Sequence, residues 1–200
     1  MYWDYGEGKT DNKKQTYQGS RDAAGITSFV SDLLNKADIQ PEIHELVRQK
    51  LYDNECKNAG HVICVLTFLP NIYDSNANER NNYLQSLMKV AKKQRSQPFV
   101  FFWLQSGDQL DIERKLNLGF GYPAVVAISP SKDVVATMRG SYSEDNVNEF
   151  LTKVITGSAP TDKLPIGAMS ELKKADNWDG KDAAPIIEEP EEEEQMEEDL

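Results

Sequence analysis

Two almost uninterrupted apolar runs sit in the middle of the chain, residues 61–69 (HVICVLTFL) and residues 99–105 (FVFFWLQ). Runs of this length, rich in β-branched and aromatic residues and lacking polar alternation, are strands covered on both faces. Between them, residues 79–94 put Tyr83, Leu84, Leu87, Met88 and Ala91 at helical spacing. A buried strand, a helix and a second buried strand make a βαβ unit with parallel pairing. Any fold for this chain must therefore lay helices over both faces of a sheet.

The flanking segments extend that unit. Residues 41–54 read as a helix, with Pro41 near its start and Ile43, Leu46, Val47 and Leu51 on one face. Residues 111–118 read as a short helix with Asp108 as its upstream cap. Residues 123–129 (PAVVAIS) form a third strand, 130–133 a turn, and 134–138 a fourth strand. A last helix begins near Ser143, a suitable N-cap. The closing strand–turn–strand is an antiparallel hairpin covered by that helix. A short strand near Asp38-Ile39-Gln40 would complete a central mixed sheet with helices on both faces.

There is also an internal repeat. Residues 17–34 (YQGSRDAAGITSFVSDLL) align with residues 138–155 (MRGSYSEDNVNEFLTKVI) at an offset of 121. Gly19 and Ser20 fall on Gly140 and Ser141, and Ile26, Phe29, Val30, Leu33 and Leu34 fall on apolar partners. A helix after a Gly-Ser turn repeated at about the length of a domain suggests two copies of one domain type, the first represented only by its end.

Charge divides the chain differently. The formal net charge is -11, and nine carboxylates lie in residues 188–200 (EEPEEEEQMEEDL) with no Lys or Arg among them. The body is thus close to neutral and the tail acidic. A run of this kind reads as a solvated, disordered tail, with weak calcium binding as its other capacity. The balance argues against nucleic-acid binding. No apolar run reaches the roughly 18 residues of a membrane span. Met1-Tyr2-Trp3-Asp4-Tyr5 has neither the basic nor the apolar region of a targeting sequence. Phosphate-loop, dinucleotide, nucleophile-elbow and zinc-protease motifs are absent, so no cofactor, metal or catalytic group is assigned.

Several local patterns resemble one family. Gly119-Phe120-Gly121-Tyr122-Pro123-Ala124 resembles the loop of thioredoxin domains whose proline is cis. Tyr17-Gln18-Gly19-Ser20-Arg21 resembles the end of a catalytic domain of the protein disulfide isomerases. Cys64–Asn71, Gly119–Ser129 and Asn177-Trp178-Asp179-Gly180-Lys181-Asp182 resemble the A-six type within that family, which has two catalytic domains followed by a non-catalytic one. The resemblance implies a thioredoxin-like fold. It makes 1–36 the remnant of a catalytic domain, 37–157 the non-catalytic domain and 158–200 an extension with the acidic tail. It further implies the endoplasmic-reticulum lumen, unfolded or disulfide-containing client proteins and other lumenal chaperones as partners, and thiol–disulfide exchange as the reaction of the whole protein. The final Glu197-Glu198-Asp199-Leu200 matches the lumenal retrieval signal only loosely.

The same comparison locates what is missing. Thiol exchange needs Cys-x-x-Cys at a helix N-terminus, where the helix dipole lowers the first thiol's pKa. Here the segment after the first buried strand is Phe68-Leu69-Pro70-Asn71-Ile72-Tyr73-Asp74-Ser75. The chain is expected to bind rather than to catalyse, with Tyr122 and Pro123 as candidates for peptide docking. The other reading is an acidic scaffold or calcium buffer of the same fold. Cys56 and Cys64, the only cysteines, are either two buried thiols or a staple between helix and strand. Trp178, alone in a polar segment, is expected to anchor the extension by burial.

Overall fold

The computed structural model describes residue 2, residues 14–36 and residues 40–185. Met1, residues 38 and 39 of the expected first strand, and the acidic run 188–200 lie outside them. Alternation along the first buried strand organises the body. In β2 (Ile63–Leu69), Cys64, Leu66 and Phe68 point into one core and Val65 into another. β2 pairs in parallel with β3 (Phe99–Gln105) on one side and antiparallel with β4 (Ala124–Ser129) on the other. β4 continues through a 3-10 turn, Pro130–Lys132, into the antiparallel β5 (Val134–Thr137). Asp133 turns this corner with φ of 56°. The sheet order is β1-β3-β2-β4-β5-β6, with β1 (Ile43–Glu45) and β6 (Asp162–Lys163) at its edges.

Helices cover both faces, as the buried strands require. On one face α3 (Ala77–Lys93) and α5 (Glu144–Thr156) bury Leu87, Val90, Val147 and Leu151 against Val65, Phe101 and Val125. Ser143 caps α5 by accepting a hydrogen bond from the Asn146 amide at 3.2 Å. On the other face lie α2 (Gln49–Tyr52), its continuation as a π-helical turn (Asp53–Lys57) and α4 (Leu110–Lys115). They bury Tyr52, Cys56, Ile112 and Leu116 with Leu66, Phe102 and Val126. This mixed sheet between two helical layers is the expected thioredoxin-like architecture.

Two expectations are corrected. The helix expected over residues 41–54 splits: Ile43–Glu45 is a strand parallel to Phe101–Trp103, and only Gln49–Lys57 is helical. Ile43 packs toward the α3–α5 core and Leu46 toward the opposite one, so the spacing that resembled one helical face serves two layers. Asp108 does not cap α4. The N-cap position is Gln109, and the Asp108 carboxylate instead accepts from Gln105 Nε2 at 3.0 Å. The extension beyond α5 is, as far as residue 185, part of the body: β6 pairs with β5, and Ala168, Met169 and Leu172 are buried in the α4-side core.

The helix α1 (Ala23–Lys36) is started by Asp22, whose carboxylate accepts from the Gly25 amide at 2.7 Å. Phe29 packs on the rings of Tyr2 and Tyr17, while Ile26 and Val30 stay 45% and 47% exposed.

Cys56 and Cys64 are disulfide-bonded, with Cα atoms 5.9 Å apart and no solvent exposure. The bridge ties the π-helical turn to β2. Closing so short a loop removes about 2–3 kcal/mol of chain entropy from the unfolded state. Replacing both cysteines by alanine is expected to lower stability by about that amount in a urea titration, with no free thiol titrating in the denatured wild-type chain.

Candidate functional site

Pro70 ends β2, and the chain crosses to α3 through a loop built around Asn71 and Gln105. The Asn71 side chain donates to Ser106 O at 3.1 Å and accepts from the Tyr73 amide at 3.1 Å. The Gln105 carbonyl oxygen accepts from the Ile72 amide at 3.2 Å. Asn76 then caps α3, accepting from the Glu79 amide at 2.9 Å. On the antiparallel side, Phe68 pairs with Ala124, which sets Pro123 one residue further toward the same loop. The Tyr122–Pro123 peptide bond is cis. Tyr122 and Pro123 therefore stand beside the segment that would carry a dithiol, and that segment has no sulfur. Cys64 lies five residues back along β2, roughly 16 Å away at strand rise.

The Tyr122 hydroxyl is engaged. It donates to Glu113, a buried carboxylate that also accepts the amides of Gly107 at 2.9 Å and Gln109 at 3.3 Å. Burial first, and then the bond to Glu113 and its charge, raise the Tyr122 pKa far above that of an ordinary tyrosine. Glu113 thus fixes the turn after β3 and the loop before β4 with one side chain. Around it, Leu110, Phe120 and Tyr122 leave apolar surface open, and the Arg139 guanidinium lies 5.1 Å from the Phe120 ring centroid.

A second cluster escaped sequence reading. Arg80 lies in the first turns of α3 and is only 2% exposed. It donates to Pro70 O at 2.9 Å and to Gln105 Oε1 at 2.7 Å. Its guanidinium touches two indoles, 5.4 Å from the Trp103 and 5.1 Å from the Trp178 ring centroid, and the two rings meet edge to face at 6.3 Å. Burial pulls its pKa down, while the charges of Glu45 and Asp108 act in the opposite direction. The extension is fastened over it. The Trp178 and Asn177 N–H groups donate to the Glu45 carboxylate at 2.9 Å each, and the Ala77 amide donates to Asp182 Oδ1 at 2.6 Å. Trp178 is thus the anchor its isolation in a polar segment suggested. Nothing in the polar spacing of α3 marked Arg80 as buried. The available signals were two aromatic residues, Trp103 near the end of the neighbouring buried strand and Trp178 in the extension.

With the dithiol position and its surroundings defined, comparison with known proteins is decisive. The family described as the PDIA6-like, C-terminal thioredoxin-like domain matches residues 34–159. The chain belongs to this family. A protein disulfide-isomerase 2-3 of Arabidopsis thaliana is 37% identical over 88% of the chain and 39% of its own length. The protein disulfide-isomerase A6 of Homo sapiens is 35% identical over 83% of the chain and 38% of its own length. The chain spans about two fifths of these relatives. Among solved structures, the bb fragment of ERp72 is similar with a TM-score of 0.46 at 14% identity, covering 66% of this chain and 56% of that one. Within this PDIA6-like domain the position after β2 holds Asn71 and Ile72, so the family's fold is present here without a thiol at that place.

Two substitutions separate the roles at Glu113. Glu113→Ala leaves two amides and a phenol without their acceptor and is expected to cost about 1–3 kcal/mol, against about 1 kcal/mol for Tyr122→Phe, by urea denaturation. The pH dependence has a definite sign. The unfolded chain releases its tyrosine protons near pH 10, whereas folded Tyr122 holds its own to higher pH. The folded state then binds more protons, so stability is full below about pH 10 and falls above it. Tyr122→Phe is expected to flatten that fall. Part of it persists, because burial and the Asp53 charge push Tyr52 up to about 12 and burial also raises Tyr142.

Proposed function

We propose that this chain is a non-catalytic binding part of a protein disulfide isomerase, engaging unfolded client proteins in the endoplasmic-reticulum lumen for catalytic domains elsewhere in the protein. The observation that carries this reading is the occupied helix terminus. Where thiol exchange needs an exposed cysteine, α3 begins with Asn76 and is capped again by Asp182, and Pro70–Ser75 holds no sulfur. The two cysteines of the chain are buried and bonded to each other. The names of the relatives, all protein disulfide isomerases, support the client class.

In this reading residues 1–36 end a preceding catalytic domain, residues 37–157 form the binding domain, and residues from 158 onward close over it. The half-exposed Ile26 and Val30 on α1 fit a helix whose covering sheet belongs to that preceding domain. Clients would meet the end of the sheet at Tyr122 and Pro123, beside the open apolar surface of Leu110 and Phe120. Other lumenal chaperones would be engaged through the same part of the protein.

The test pairs activity with binding. The chain is expected to give no insulin reduction above background and to bind a reduced, carboxymethylated client measurably by fluorescence anisotropy. Leu110→Ala combined with Phe120→Ala is expected to weaken that binding several-fold without altering the free energy of unfolding by more than about 1 kcal/mol, the usual range for two exposed positions together. Turnover by the wild-type chain, or client binding indifferent to the double substitution, would remove the proposal.

A further inference from the structure

The segment Asn177–Asp182 meets the body as a ligand meets a receptor. It has no regular secondary structure. Its fastenings are the Trp178 indole over Arg80, the Asn177 and Trp178 N–H groups on the Glu45 carboxylate, and the Asp182 carboxylate on the Ala77 amide. It closes on itself through Trp178 Nε1, which donates to Lys181 O at 2.8 Å, and through Asp179, which accepts from the Lys181 amide at 3.0 Å.

The receiving surface has the features of a peptide site. Glu45 offers a carboxylate to one main-chain N–H, that of Trp178, and to the Asn177 side-chain amide. Trp103 offers a ring for edge-to-face contact and Arg80 a cation over which an aromatic face can lie, as Trp178 does. The first turn of the 17-residue α3 offers a free amide and the positive end of the helix dipole, which favour a carboxylate. An independent observation adds to these. Arg80 is 2% exposed, yet its Nε has no hydrogen-bond partner, and among the described residues no carboxylate forms an ion pair with it. A buried cation normally has such a partner. Here its charge lies 5.1 Å from the Trp178 ring centroid.

We propose that Glu45, Arg80, Trp103 and the Ala77 amide form a peptide-binding site that the chain's own residues Asn177–Asp182 occupy. In trans the site takes a segment of another protein that makes the same turn and carries an aromatic residue followed four positions later by a carboxylate. The internal segment leaves the body just after the Ala175 amide bonds Val47 O at 3.2 Å, so its tether is short. A short tether gives a high effective concentration. An incoming segment therefore competes only when the internal one is released. This site uses residues other than Tyr122 and Pro123, proposed for clients, and shares with that reading only the Asp182 cap on α3.

The experiment uses the full chain with Trp178→Ala and Asp182→Ala together, and a synthetic peptide copying residues 174–184 as the probe. In nitrogen-15 NMR titrations the peptide is expected to shift the amides of Glu45 and Ala77 and the Arg80 Nε–H of the double variant. The wild-type chain is expected to bind it at least tenfold more weakly. A peptide lacking both the Trp and the Asp is expected to bind neither. A folded double variant that shows no shifts at millimolar peptide, or equal binding by both chains, would overturn the proposal. Hydrogen exchange of the wild-type chain keeps the test open if the variant unfolds. The Trp178 amide is expected to exchange at least tenfold faster than the β2 amides, through an opening insensitive to low denaturant. Exchange of Trp178 only by global unfolding would equally refute it.

Discussion

The double-sided burial of β2 holds the rest together. Its backbone is paired on both edges, in parallel to β3 and antiparallel to β4, and its side chains alternate between two cores. Because neither face meets water, every residue from Cys64 to Leu69 is buried, and a layer of helices must cover each face. The disulfide enters this same strand through Cys64, so the π-helical turn is tied to the most buried element of the molecule rather than to a loop.

The chemistry of the sheet end follows from how β2 stops. In a dithiol enzyme the strand delivers a cysteine to the start of the next helix, and the helix dipole helps to ionise it. Here Pro70 and Asn71 turn the chain into a side-chain network instead, and the dipole of α3 is met by Asn76 and the Asp182 carboxylate. The scaffold that elsewhere activates a thiol is spent on holding a segment of chain in place. Arg80 shows the same change of use. Its cation is buried by two indoles and two backbone or amide oxygens, which makes it a packing and recognition element.

Legibility in the sequence tracked the length of the local signal. Phe99–Gln105 was readable to the residue, because a continuous apolar run leaves no choice of period, and Ser143 was readable as a cap because its chemistry is local. Ile43–Glu45 was not, since three residues cannot display a period of two, and the pairing with Phe101–Trp103 overrides a helical pattern that continues past them. Asp108 misled for a related reason. Its side chain found Gln105, a partner from the strand end, before the helix could use it. At the sheet end, the cis bond before Pro123 was legible from its motif, whereas the Glu113 hub joins side chains and amides from Gly107 to Tyr122 and the Arg80 cluster joins five separate segments. Such convergence has no signature along the chain. Only the aromatic residues Trp103, near the end of a buried strand, and Trp178, conspicuous among polar neighbours, pointed toward the Arg80 cluster.

The two borders of the sheet have a consequence of their own. β1 is three residues long and β6 two. A strand at a border displays unpaired N–H and C=O groups, and a long, flat one recruits other extended chains into growing aggregates. Borders this short offer a passing strand only one or two hydrogen bonds before the backbone turns away. A sheet whose interior is as adhesive as Val65, Leu66 and Phe102 can therefore persist among unfolded polypeptides without seeding their deposition on itself.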